Sequence, residues 1–274
     1  MINDENILLD NKIIWRGTLR NVKNVSEIFY PSFAKRIDKY QTKLQSFFDF
    51  QIVKADREIL ENLFFPSYES YIVSKNNYHL NKTETYQTIL KNIQDRNDYY
   101  LLSIFDKHDK NKIYGGTIFF VRDGKVGFCY KAYNHQITKD FKINCSLDYW
   151  AEKLVFDFGI KNNCQFISHG KDAHPYIDNP GLCLFKLRAG CKPFSGLISK
   201  EIKNKSKLAF QEVNLKKLMQ ENNLFIYFTE PDSLGFFQKI NIYYRDNFGN
   251  NALINEFKKI IEWAKIIYNI NLYS

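Results

Sequence analysis

The sequence predicts an α/β fold with a mixed, mostly antiparallel, twisted central sheet and flanking helices. Three observations lead there. From Tyr99 onward, YYLLSIFD and IYGGTIFFV are rich in β-branched and aromatic residues, and the polar stretch DKHDKNK separates them. Asp123-Gly124 lies between IYGGTIFFV and KVGFCYKAY, and Asp-Gly between two β-rich runs marks a tight hairpin. Helical periodicity flanks this meander. In 82–95 one face carries Tyr86, Ile89, Leu90 and Ile93; after Ser146 it carries Leu147, Trp150, Ala151, Leu154, Val155 and Phe158.

The remaining elements follow in chain order. KIIWRGTL reads as a short strand, and Ser26 to Phe48 as a helix broken at Pro31. FDFQIVKA alternates like a strand, and Asp56 is placed to cap a helix that Pro66 ends or kinks. Gly115-Gly116 inside a strand predicts a bulge or a close backbone approach. NHQITKDFKIN reads as an irregular loop, Ser146 as an N-cap, and Gly159 as the end of the following helix. CQFIS is a short strand and HGKDAHPYIDNP a polar loop. Pro180 opens a short helix, GLCLFKLRAG, that Gly190 closes. Beyond Lys200, LAFQEVNLKKLMQ reads as helical, NLFIYFTE and KINIYYR as strands, and ALINEFKKIIEWAKIIYN as an amphipathic terminal helix. The expected organisation is an accessory segment over 1–49, a core over 50–200 and an α/β extension over 201–274.

Composition narrows the function classes. With 45% apolar and 25% charged residues the chain builds an ordinary globular core, which excludes wholesale disorder, a collagen repeat and a coiled coil. No apolar run approaches the ~18–20 residues of a membrane span. MINDENILLDNK lacks the basic and apolar regions of a secretory signal, so a cytoplasmic location is expected. The net charge of +9 attracts phosphate-bearing partners, although the basic residues are dispersed and the lysine excess is equally the mark of A/T-rich codon usage. The five cysteines show no CxxC and no clustering with histidine. They read as small buried hydrophobes in a reducing compartment, with no metal expected.

The order helix, helix, strand, strand–turn–strand, helix, strand, helix resembles the GNAT superfamily of acyl-CoA-dependent N-acyltransferases. GGTIFFVRDGKVGFCYKAY, SLDYWAEKLVFDFGI and the stretch from Asn179 to Gly190 carry the resemblance. FKLRAG is closer to the Fem-type branch and its single-domain relatives. The match covers roughly residues 50–195. It implies that Val126–Tyr133 and the strand around Phe166 splay apart, leaving peptide groups that pair with the donor's pantetheine amides. It implies donor contacts from Phe128, Tyr130 and Lys131 on the first of these strands, from Asn179, and from the helix N-terminus at Ser146 toward a pyrophosphate. Two departures stand out. The loop NHQITKDFKINC has no glycine where the family has a Gly-rich pyrophosphate loop, so either Lys139, Lys142 and Ser146 hold the phosphates or the donor is not CoA. Lys186 stands where many members have a thiolate-protonating Tyr.

The reaction the resemblance implies is transfer of an acyl group, acetyl in the first instance, from acetyl-CoA or another acyl-CoA to a primary amine such as an amino sugar nucleotide. HGKDAHPY puts His169, Asp172 and His174 where such enzymes act. These three are expected to deprotonate or orient the amine, with Lys186 stabilising the departing thiolate. His135 and Tyr176 are candidate acceptor contacts. By analogy alone, Glu69 and Tyr71 face an acceptor pocket. The flanking extensions are expected to shape the acceptor site or a homodimer contact. Two alternatives stay open. One is an aminoacyl-tRNA-dependent transferase of the Fem type, with tRNA as partner; the other is a non-catalytic GNAT-like or nucleic-acid-binding module.

Overall fold

The computed structural model describes residues 6–10, 12–74, 82–94, 96–134, 136–177, 180–195, 210–245 and 251–273. The N-terminal elements are β1 (Asn6–Asp10), β2 (Lys12–Thr18), α1 (Pro31–Phe47), β3 (Phe48–Lys54), α2 (Arg57–Ile59), α3 (Phe65–Ser74) and α4 (Lys82–Ile93). The middle holds β4 (Tyr99–Asp106), β5 (Ile113–Arg122), β6 (Lys125–Tyr133), α5 (Ile137–Asp140), α6 (Leu147–Lys161), β7 (Phe166–Ala173) and α7 (Pro180–Arg188). Then come β8 (Lys192–Ser195), β9 (Phe210–Asn214), α8 (Leu215–Glu221), β10 (Leu224–Pro231), β11 (Phe237–Arg245), α9 (Asn251–Ala264) and β12 (Ile267–Tyr273). Among the described residues no helix is long and apolar enough to cross a membrane. Chain contacts define two compact units, 18–167 and 1–17 with 168–274.

In the 18–167 unit, β3, β4, β5 and β6 form an antiparallel meander, and the backbone N–H groups of Gln165 and Phe166 donate to the Gly124 carbonyl where β7 begins. Helices pack against this sheet. Leu101, Ile118 and Ala132 join a core with Phe64, Phe65, Tyr68 and Ile89 from α2 through α4. Their sequence neighbours Tyr100 and Phe119 instead pack on Phe158 of α6, as strand alternation requires. A bulge at Cys129 breaks that alternation in β6, because Phe119 pairs with Phe128 while Ile118 pairs with Tyr130. Phe128 therefore meets Phe156 of α6, while Tyr130 packs with the opposite core.

Glycines mark two of this unit's constraints. Asp123 and Gly124 both have positive φ, 49° and 68°, which gives the hairpin its tight turn. Gly115 has φ 151°, and a Cβ there would stand 2.3 Å from the Ala132 carbonyl oxygen, so the two strands meet backbone to backbone.

Several local expectations are corrected. Pro66 does not end its helix. A π-helical turn over Leu60–Phe64 precedes it, with Phe65 N–H bonding the Leu60 carbonyl, and the chain continues as α3. Gly159 is not a terminus, since α6 runs on to Lys161. It is instead the place where α6 touches β6, and a Cβ there would lie 2.7 Å from Val126. HGKDA is not loop but the second half of β7. Of LAFQEVNLKKLMQ, Leu208 and Ala209 lie outside the described residues, and the rest divides into β9 and α8 at Asn214, whose side chain caps Lys217 N–H. The terminal helix stops at Ala264, Lys265 turns with φ 56°, and the last apolar run is β12. In the loop NHQITKDFKIN the short helix α5 appears.

The other unit holds β1 paired with β9, β2 antiparallel to β8, and a sheet in the order β10-β11-β12. β10 and β11 are antiparallel and β11 and β12 parallel, with α9 as the crossover. Ile254, Phe257, Ile260 and Ile261 are the buried stripe of α9. The helix α7 ends as expected at Gly190, with φ 78°. Cys191 N–H bonds the Lys186 carbonyl and Gly190 N–H the Leu187 carbonyl.

Candidate functional site

The 168–274 segment and β2 build a buried polar cluster around Lys186. The short helix α7 carries Leu184 and Leu187 into the core, and Lys186 enters with them, 5% exposed. Its ammonium donates to both carboxylate oxygens of Asp172, at 2.7 and 2.6 Å, and to the His169 carbonyl at 3.0 Å. All three protons of the ammonium thus have acceptors. Tyr176 donates its hydroxyl to Asp172 and accepts from Trp15 Nε1 at 2.6 Å. The Trp15 ring stands 5.9 Å from the ammonium.

β7 supplies His169 and Asp172, and Tyr176 is held by a two-bond bridge to Ile226 of β10. Burial lowers the Lys186 pKa, and the Asp172 carboxylate opposes that shift. Burial also raises the Tyr176 phenol well above its ordinary range, with Cys183 and Asp172 adding to the effect. The cluster can therefore present a desolvated cation steered by a carboxylate, beside a phenol that keeps its proton.

His174 lies in the same unit but joins a different set of bonds. Its Nδ1 donates to the Asp10 carbonyl at 2.7 Å, and its Nε2 accepts from Phe228 N–H at 2.8 Å. Burial holds its pKa down to about 4, against the smaller opposing effect of the Asp10 bond. The ring is neutral at pH 7, and neither nitrogen has a lone pair left to accept a substrate proton. The His169 ring is buried, edge-on to Phe185 at 6.1 Å.

The donor candidates belong to the 18–167 unit. Lys131 is ion-paired with Glu152, whose side chain is fully buried, and stands 4.0 Å over the Phe128 ring. The bulge turns Tyr130 to the other face of β6. Burial raises the Tyr130 phenol, with Cys129 adding to it. Lys139 and Lys142 are exposed, and Lys142, with φ 54°, supplies the left-handed residue of the glycine-free loop. Ser146 is the N-cap residue of α6 but makes no side-chain cap bond, and Asp148 occupies the first turn. A carboxylate there opposes a second anion at the same helix end. His135 and Asn179 lie outside the described residues.

Trp15 is the member of the Lys186 cluster that sequence reasoning missed. It lies far upstream in a segment read as accessory, and only its indole N–H, which needs an acceptor when buried, hinted at a polar partner. The five thiols form no disulfide. Among the described residues no group of three or more His, Cys, Asp or Glu is placed to hold a metal ion.

No protein-family profile matches the chain, and no curated protein does. Among solved structures it is similar to FemX, at 12% identity and a TM-score of 0.46, over 76% of this chain and 63% of that one. A conserved protein of unknown function from Bacteroides thetaiotaomicron aligns at 11% identity and 0.45, over 69% and 59%. L-PGS from Bacillus licheniformis aligns at 10% and 0.33, over 93% and 67%. The chain spans about three-fifths of the length of the first two.

Proposed function

We propose that the chain is a transferase of the Fem type that moves an aminoacyl group from tRNA to a primary amine, in preference to an acyl group from CoA. The observation that carries the transferase reading is the Lys186–Asp172 pair. A buried ion pair contributes little net stability compared with well-packed apolar residues, so a lysine sunk among Leu184 and Leu187 and steered by Asp172 and Tyr176 argues for chemistry.

In the proposed reaction the amine attacks the ester carbonyl. The amide C–N bond forms as the ester C–O bond breaks, the amine gives up one proton and the departing ribose oxygen gains one. Lys186, whose three protons stay on Asp172 and the His169 carbonyl, acts through space by its positive charge on the carbonyl or departing oxygen, and Asp172 fixes its position. His169 lends its backbone carbonyl to the same ammonium. His174 braces Asp10 against β10 and takes no proton. The donor preference rests on the glycine-free loop, the Asp148 carboxylate in the first turn of α6 and the engagement of Lys131 by Glu152. The chain's +9 charge suits a polynucleotide donor.

The test sets bulk aminoacyl-tRNA and deacylated tRNA against acetyl-CoA, reading thermal shift and release of labelled amino acid to an amine mixture. The expected result is a shift with tRNA, transfer lost in Lys186→Met, and no shift with acetyl-CoA. A shift with acetyl-CoA alone overturns the donor assignment, and no response to either overturns the transferase.

A further inference from the structure

A second feature lies in the 18–167 unit, apart from the Lys186 cluster. Where β3 passes into α2, a cleft of about 520 Å³ opens between Lys54, Arg57 and Arg96, over a floor that includes Ala55, Leu90 and Ile93. The three cations come from β3, from α2 and from the loop between α4 and β4. Lys54 is exposed, and its ammonium donates to the Asn97 carbonyl and to the Tyr100 hydroxyl, leaving a third proton for a ligand. Among the described residues neither Lys54 nor Arg96 is paired with a carboxylate. The Asp56 carboxylate also lines the cleft; it accepts from Ile59 N–H at 2.8 Å and keeps its negative charge, against the three cations. Arg57 is 76% exposed and pairs at its Nε with Glu61.

Arg57 and Leu90 also line a second cleft of about 510 Å³. Its character is opposite. Phe65 and Tyr86 stack there at 3.9 Å, and the acids are Glu61 and Glu69. The π-helical turn Leu60–Phe64 lies in the helical run that forms the shared wall, and such widened turns recur at functional sites. An anion is repelled from the second cleft and drawn to the first. Carboxylates beside an aromatic pair suit the N–H and hydroxyl donors of an uncharged, flat group.

We propose that the two clefts form one elongated nucleotide-binding site. The phosphate sits among Lys54, Arg57 and Arg96, and the sugar and base extend past Leu90 to the Phe65–Tyr86 stack. The ligand is either a free nucleotide or one nucleotide of an RNA strand, which share this chemistry. The site stands whether or not the chain transfers aminoacyl groups.

The test is isothermal titration of the full chain with adenosine and uridine diphosphates, inorganic pyrophosphate and a single-stranded RNA hexamer, at low and raised salt. Binding is expected for a nucleoside diphosphate, for the hexamer, or for both, and the stronger of the two identifies the source. Lys54→Ala with Arg96→Ala is expected to weaken it about tenfold or more. Lys54→Gln with Arg96→Gln serves as a second variant. Tyr86→Ala is expected to weaken nucleoside diphosphate binding while leaving pyrophosphate unchanged. Lys216→Ala with Lys217→Ala, an equal loss of charge on α8, is expected to leave affinity within twofold. The proposal is overturned by absence of heat with every nucleotide probe, by full affinity in both cleft variants, or by an equal loss in the α8 control.

Discussion

Both ring nitrogens of His174 are bonded to backbone, so a proton on this ring must break the bond from Phe228 N–H. Its pKa is near 6.5 in the unfolded chain and about 4 in the folded one. The folded value is depressed, so the contribution to stability is complete above about pH 6.5 and is lost as the pH falls toward 4. The gap corresponds to about 3 kcal/mol. Urea midpoints measured from pH 7.5 down to 4.5 are expected to fall more steeply for the natural chain than for His174→Gln, and parallel slopes would refute this. Lys186 and Asp172 make a second residue-scale case. Removing either partner strands a buried charge or its desolvated acceptor, at a cost of about 3–5 kcal/mol. The double variant Lys186→Met with Asp172→Asn is expected to cost less than the sum of the singles. Additive losses in a chemical-denaturation cycle would mean that the pair is not coupled.

At the scale of elements, the hairpin β5–β6 gives the sharpest contrast. Gly115→Ala forces a Cβ to within 2.3 Å of a backbone oxygen and is expected to cost at least about 3 kcal/mol. Gly124→Ala meets nothing within 4 Å and pays only for its positive φ, about 1 kcal/mol. Comparable thermal shifts for the two would show that the close approach is absent. This hairpin was also the most legible part of the sequence, because Asp-Gly and Gly-Gly act locally and need no partner to be read. Legibility failed where the deciding contact is distant. Gly159 reads as a helix end until Val126 is known to lie against it. HGKDA reads as loop because its polar residues break the apolar alternation of a strand, and the partner that lets the Asp172 carboxylate be buried there, Lys186, lies on the following helix. The π turn before Pro66 has no sequence signature. In the candidate site, Lys186, Asp172 and Tyr176 were visible as residue types near a turn. Their union with Trp15 was not, because β2 is brought beside β7 only by the sheet.

At the scale of the molecule, the first 17 residues group with 168–274 although 150 residues of the other unit intervene. The physical reason is that β1 and β2 carry groups the C-terminal segment cannot replace. Trp15 is fully buried and supplies the hydrogen bond to Tyr176, Asp10 accepts from His174 and Ser195, and Leu9 completes a core with Leu215, Leu218, Phe225 and Tyr227. Deleting 1–17 removes an entire pairing edge from β8 and from β9, together with that apolar surface, each buried large side chain being worth about 1.5–3 kcal/mol. The 18–167 unit keeps its meander, its two helical layers and its aromatic core. A chain beginning at Thr18 is therefore expected to lose the structure of 168–274 first. Limited proteolysis followed by mass measurement is expected to leave a protected fragment close to 18–167, with cleavage concentrated beyond Ser168, whereas the full chain resists in both units. Equal protection of 168–274 with and without the first 17 residues would show that β1 and β2 are accessory after all, and that the Lys186 cluster stands without Trp15.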